Sequence, residues 1–368
     1  MRRKYAVPLL IIIICMMIFT GCGNAPGNSA ADRSLDGTSD TETDTDVTEG
    51  EASYSGKDSG LISVGFSQVG AESDWRNINT DSMKETLSER NGFDLIYDDG
   101  QQKQQNQITA IRTFIQKEVE YIVLAPVIED GWTTVLTEAK DAGIPVILVD
   151  RMVDEKNEDL FTCWVGSDFE LEGKKVCEWF NEYCKLNNIK GSDVRIVNIK
   201  GTEGASAELG RSRALSKAVG KYGWKLLDEK SGEFTQAKGR EVMSRFLRQY
   251  SDINVVYCEN DNEAIGAIEA IESAGKTVGW DIKNGEIMVL SFDGSSDQAI
   301  EAVTSGRIAC IGECNPLHGP RVRKIIEDLK NGVTPEKYEY VDEDIFSSYD
   351  KLTGITVDGT EYPVKIMK

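Results

Sequence analysis

The sequence predicts an α/β protein built as two doubly wound, parallel-sheet lobes in tandem. Three observations carry this expectation. Short apolar runs of strand length alternate with longer stretches of helical period from residue 60 to residue 368. The runs are apolar at successive positions, which suits parallel strands covered by helices on both faces. The region is also too long for one small core, so the series divides into two.

The first series places strands at 61–66, 93–97, 121–124 and 145–149, with helices at 75–89, 104–117 and 131–141. In the second of these helices Ile108, Ile111, Phe114 and Ile115 recur at spacings of three and four and form one apolar face. The second series places strands near 194–199, 225–227, 255–257, 287–291 and 308–312. Its helices fall near 171–186, 205–219, 237–249, 262–274 and 296–305.

Two segments of another kind precede the lobes. Arg2, Arg3 and Lys4 open the chain, an apolar run follows over 7–19, and Gly21-Cys22 closes it. This order is similar to a bacterial lipoprotein signal. Residues 1–21 would then be removed and Cys22 would carry lipid, which places the folded part outside the cytoplasmic membrane, on the outer face of a Gram-positive cell. The same residues also fit an uncleaved anchor with an incidental cysteine. Residues 22–59 are rich in Ser, Thr, Gly, Asp and Glu, and read as a disordered acidic tether. The acidic run 40–46 lacks the glycine that an EF-hand loop places at its sixth position.

A net charge of −21 argues against nucleic acid as a partner and against adhesion to anionic lipid heads. Six cysteines follow Cys22: Cys163, Cys177, Cys184, Cys258, Cys310 and Cys314. None forms a Cys-x-x-Cys pair and the chain has one histidine, His318, so neither a metal site nor a cofactor is expected. Spacing does not choose a disulfide.

In open α/β sheets ligands sit beyond the carboxyl ends of the strands. Those ends carry Gln68, Trp75, Arg76, Asp150, Arg151, Arg211, Phe234, Asn260, Asp293 and Glu313. Carboxylates, amides and arginines satisfy hydroxyls that both donate and accept, and aromatic rings cover the C–H faces of a sugar.

At these residues the chain resembles the ribose-type periplasmic sugar-binding proteins, above all their galactofuranose-binding members. The carriers are 64–70 with Trp75-Arg76, 99–104, 125–127 with Gly131-Trp132, and 139–151. The second lobe adds 204–206, 232–235 and Asn260-Asp261. The resemblance implies a type I binding-protein fold, with a three-segment hinge and the ligand in the interlobe cleft. It implies a first lobe of 60–163 plus 313–345 and a second of 164–312 plus 346–368. Trp75 and Phe234 would sandwich a sugar ring, and Asp150, Arg151, Arg211, Asn260, Asp293 and Glu313 would grip its hydroxyls, with Gln68 a weaker candidate. Arg76 stands where ribose binders have a second aromatic, which implies another sugar. Ser73-Asp74 departs from the family pattern, Glu259 and Glu263 add acid around Asn260, and nothing beyond Asn315 is assigned to the site.

The implied function is a monomeric, lipid-anchored solute-binding protein of an ABC importer, passing a furanose or small aldose to permease subunits. The alternative is a sensor that presents bound sugar to a membrane receptor or histidine kinase. An enzyme is disfavoured, because no nucleophile–histidine set and no Gly-x-Gly-x-x-Gly turn is present.

Overall fold

The structure, a computed structural model, describes residues 60–368. The expected signal (1–21), Cys22 and the expected acidic tether (22–59) lie outside the described residues.

From its start the described chain alternates strand and helix: β1 Ile62–Gln68, α1 Asp74–Thr86, β2 Phe93–Asp99, α2 Gln104–Gln116, β3 Tyr121–Leu124, α3 Thr133–Asp141, β4 Val146–Val149 and β5 Cys163–Gly166. It continues through α4 Phe169–Leu186, β6 Arg195–Lys200, α5 Ser206–Tyr222, β7 Lys225–Ser231, α6 Gln236–Gln249, β8 Val255–Cys258 and α7 Asp261–Ser273. The last elements are β9 Met288–Asp293, α8 Asp297–Thr304, β10 Cys310–Glu313, α9 Gly319–Lys330, β11 Tyr338–Tyr340, β12 Ile345–Ser347, β13 Gly354–Val357 and β14 Thr360–Ile366.

Two sheets result. The first has the order β11-β5-β4-β3-β1-β2, and every pairing in it is parallel. The second has the order β13-β14-β12-β10-β9-β8-β6-β7, with antiparallel pairing only at β10/β12 and β13/β14. The central strands are covered on both faces, which is why β1, β3, β4, β8 and β9 are buried throughout. Met83, Val322 and Ile326 pack on one face of the first sheet, and Ile111, Phe114 and Leu136 on the other. Trp179, Phe180 and Tyr257 fill one face of the second, and Met243, Phe246 and Ile268 the other.

The chain passes between the sheets three times: at Ser167-Asp168, between Glu313 and Gly319, and between Tyr340 and Ile345. The expected lobe edges shift accordingly. β5 pairs with β4, Ile147 opposite Cys163, so 164–166 belong to the first lobe. Glu313 pairs with Asp293, and Ile345 with Gly312 and Val364, so both residues belong to the second lobe. The four-residue β5 gives too short an apolar run to mark the crossing. The six cysteines are free and buried. Burial pushes the Cys163 and Cys184 thiols up to about 12. Among the described residues no helix is long and apolar enough to cross a membrane.

Candidate functional site

Strand order reverses between β3 and β1 in the first sheet and between β8 and β6 in the second. Such switch points open a crevice at the strand ends. After β1, Ser73 caps α1 by accepting from the Arg76 backbone N–H, which fixes where Trp75 and Arg76 leave the helix. Asp150 and Arg151 follow β4. From the second lobe come Arg211 on α5, Phe234 after β7, Asn260 as the cap of α7, and Asp293 at the end of β9. With Glu72, Ser73, Phe169, Ala207 and Cys314 these residues line an interlobe cleft.

The cleft is charged but internally paired. Arg76 donates from Nη2 to Asp150 Oδ2 at 2.7 Å, from Nε to Glu72 Oε1 at 3.0 Å and from Nη1 to Gln68 Oε1 at 3.2 Å. Burial opposes its charge, but Asp150 and Glu72 outweigh burial and hold the guanidinium above its ordinary value. Arg151 donates to the Val127 carbonyl at 2.9 Å. Burial, and then the neighbouring Arg76, push it down to about 10, so it stays charged at neutral pH. Glu72 Oε2 is buried with no protein partner. In the second lobe Arg211 donates to Glu172 Oε2 at 2.8 Å, to Asp293 Oδ1 at 3.3 Å and to the Glu259 carbonyl. Burial pushes Asp293 well above the carboxylate range, against the pull of Arg211. A carboxyl that keeps its proton can donate as well as accept.

Three cleft residues sit in left-handed backbone: Asp150 at φ 64°, Phe234 at φ 59° and Asp293 at φ 91°. Asp tolerates this region, whereas for Phe it is strained, at about 1–3 kcal/mol. The surroundings of Phe234 hold it there. Its N–H donates to Glu263 Oε1 at 2.9 Å and its carbonyl accepts from Asn260 Nδ2 at 3.0 Å. Its ring lies over Gly201, where a Cβ would come within 1.9 Å of Cζ. Gly201→Ala is therefore expected to displace the ring and weaken ligand binding about tenfold while the protein still folds. Titration of the variant by calorimetry checks this.

The remaining apolar wall spans both lobes. Trp75 clusters with Phe169, Ala205, Ala207, Phe234 and Cys314, and its Nε1 donates to the Cys314 carbonyl at 2.6 Å. The lobes also touch directly across the mouth. Glu129 N–H donates to the Gly204 carbonyl at 2.9 Å, Asp74 N–H to Asn262 Oδ1 at 3.0 Å, and Met152 N–H to Ser206 Oγ at 2.9 Å.

Eight of the ten expected ligand residues thus meet in one cleft: Trp75, Arg76, Asp150, Arg151, Arg211, Phe234, Asn260 and Asp293. Two do not line it. The Gln68 side chain is spent inside the first lobe, donating to Asn79 and Thr80 and accepting from Arg76. Glu313 accepts from the Asp344 N–H at 2.8 Å and fastens the third crossing instead. Asn260 lines the cleft but gives Oδ1 to the Glu263 N–H and one Nδ2 proton to Phe234. Sequence reasoning missed Glu72, Phe169, Ala207 and Cys314 as lining residues. The acid within the Gly-containing loop after β1 was the one legible signal, for Glu72.

Glu172, Cys314 and Glu343 bring one side-chain atom each within 4.8 Å of one another. Arg211 already occupies Glu172, and Ser167 and the Asn315 N–H occupy Glu343. Protein donors thus already engage one oxygen of each carboxylate.

A family model described as a periplasmic binding protein domain matches residues 64–315. The chain belongs to that family. This binding protein is 39% identical over 281 residues to the galactofuranose-binding protein YtfQ of Escherichia coli, covering 75% of this chain and 85% of the relative. A Mycobacterium smegmatis protein solved in complex with β-D-fucofuranose superposes with a TM-score of 0.73 at 36% identity, covering 78% of this chain and 91% of that one. The binding component of an arabinose ABC transporter from a Shewanella species, bound to α- and β-L-arabinofuranose, superposes with a TM-score of 0.70 at 35% identity, covering 77% and 91%. The two parallel-sheet lobes are those of a type I binding protein, and the relatives bind solutes without transforming them.

Proposed function

We propose that the protein is the lipid-anchored, extracytoplasmic solute-binding component of an ABC sugar importer, and that it closes on a monosaccharide in furanose form. The observation that carries this reading is the interlobe cleft with an arginine from each lobe. Arg76 and Arg211 project from opposite lobes, each fixed by carboxylates, between walls that include Trp75 and Phe234. A ring hydroxyl that reaches both lobes gains contacts only in the closed form, which is what a ligand-driven closure requires. The buried, unpartnered Glu72 Oε2 supplies an acceptor for such a hydroxyl. The furanoses named for the similar proteins support the ring form.

A thermal-shift screen of residues 60–368 against D-galactose, D-fucose, L-arabinose, D-ribose and D-fructose tests the reading. A ligand at a hundredfold excess over its Kd stabilises by about 2.7 kcal/mol, a shift of several degrees. L-Arabinose, D-fucose or D-galactose should give the largest rise, and no rise with any sugar sinks the proposal. A lipid-modified Cys22 in the mass spectrum of membrane extracts supports the anchor, and an intact Met1 removes it.

A further inference from the structure

The three interlobe crossings meet at one side chain. Glu343, on the third, accepts from Ser167 Oγ of the first at 2.6 Å and from the Asn315 N–H of the second at 2.8 Å. Lys175 Nζ donates to the Glu343 carbonyl at 2.7 Å. Glu172, 1% exposed, faces this crossing from α4, and its carboxylate lies within 4.8 Å of the Glu343 carboxylate and the Cys314 thiol. Its Oε2 is taken by Arg211, and its Oε1 finds no partner unless an acid proton lies between the two carboxyls. An unpartnered buried carboxylate oxygen is costly, and two facing carboxylates repel, whereas one proton between them resolves both problems.

We propose that Glu343 keeps its proton at neutral pH and donates it to Glu172, so that the hinge holds Arg211 in position for the ligand. Glu343 and Glu172 are then positioning residues, and the proposal rests on the sugar-binding reading for the identity of the ligand alone. The groups facing Glu343 are Glu172 and Lys175 of α4, Cys314 of the second crossing and Arg211 of α5, with Asp293 on the far side of Arg211. Burial first, and the Glu172 charge second, push Glu343 up to about 9. Because this folded-state value is raised, the stabilisation is complete below the ordinary glutamate range and is lost as pH rises toward about 9. Above that, Glu172 faces a second carboxylate and Arg211 loses its fixed anchor.

The test compares wild type with Glu343→Gln, the neutral isostere, in L-arabinose affinity from about pH 6 to about pH 10, and in the infrared bands of protonated carboxyls. Wild-type affinity should fall about tenfold across the upper end while Glu343→Gln holds within about twofold. Near neutral pH, wild type should show a protonated-carboxyl band that Glu343→Gln lacks. An equal fall in both proteins, no lost band, a Gln variant that does not fold, or a fall repaired by Zn²⁺ overturns the proposal. If L-arabinose binds neither protein, the ligand reading fails for that sugar and the infrared band alone decides the proton.

Discussion

Arg211→Ala is expected to abolish ligand binding and to cost about 3–5 kcal/mol of folding stability in the same step. Arg211 is 2% exposed, paired with Glu172 and Asp293, bonded to the Glu259 carbonyl and stacked 4.7 Å from the centre of the Phe292 ring. Removing it leaves two buried acids without their cation, and the desolvation penalty of each is then uncompensated. Burial pushes both acids toward their neutral forms, so proton uptake relieves part of the loss at each. Denaturant unfolding alongside calorimetric titration checks both halves. A variant of wild-type stability would show that water reaches the guanidinium in the folded protein. Asp150→Asn is the cleaner probe of binding alone, since the amide keeps an acceptor for Arg76.

Trp75→Leu is expected to weaken ligand binding by about 2–3 kcal/mol, roughly 30-fold to 150-fold, while the protein folds. Leucine fills part of the apolar volume but removes the ring face. It also deletes the Nε1 donor, which reaches the Cys314 carbonyl at the second crossing and so leaves a buried acceptor unpaired. The indole therefore works twice, as a wall of the cleft and as a link from the first lobe to the hinge. Titration with the best sugar from the thermal screen reads the affinity. Unchanged affinity with lowered stability would reduce Trp75 to a core residue.

The central strands and their flanking helices were legible because burial on both faces leaves an uninterrupted apolar run, and amphipathic helices leave a period such as Ile108, Ile111 and Ile115. β11 to β14 were not. Their side chains alternate exposed and buried or are short, as Gly354–Val357 shows, and β11 and β12 pair with β5 and β10, which lie well before them in sequence. α9 carries Val322, Ile325 and Ile326 at helical spacing, but lies past the last residue to which the family pattern gave a role. Within the site, arginines and aromatics at strand ends could be read because few structural reasons place them there. Amides and acids could not be sorted. Gln68 and Glu313 stand at the same kind of position as Asp150, yet one is consumed within its own lobe and the other at a crossing. That distinction depends on partners brought in by folding, which no local pattern announces. Cys314 and Phe169 became visible only once the crossings had brought distant segments to one wall.

The left-handed backbone at Asp150, Phe234 and Asp293 bears on how the ligand preference of this protein could be retuned. A library that randomises those three positions would fail mostly for a reason unrelated to sugars. β-Branched and bulky residues would be rejected by their own main chain before any hydroxyl was tested. Positions 150 and 293 admit Asn and Gly beside Asp, a narrow alphabet that exchanges charge for amide or for space. Glu72, Ser73 and Ala207 have φ outside that region and carry no such restriction. Of these, Ala207 leaves a search for new specificity the widest freedom, since Ser73 caps α1 and Glu72 holds Arg76.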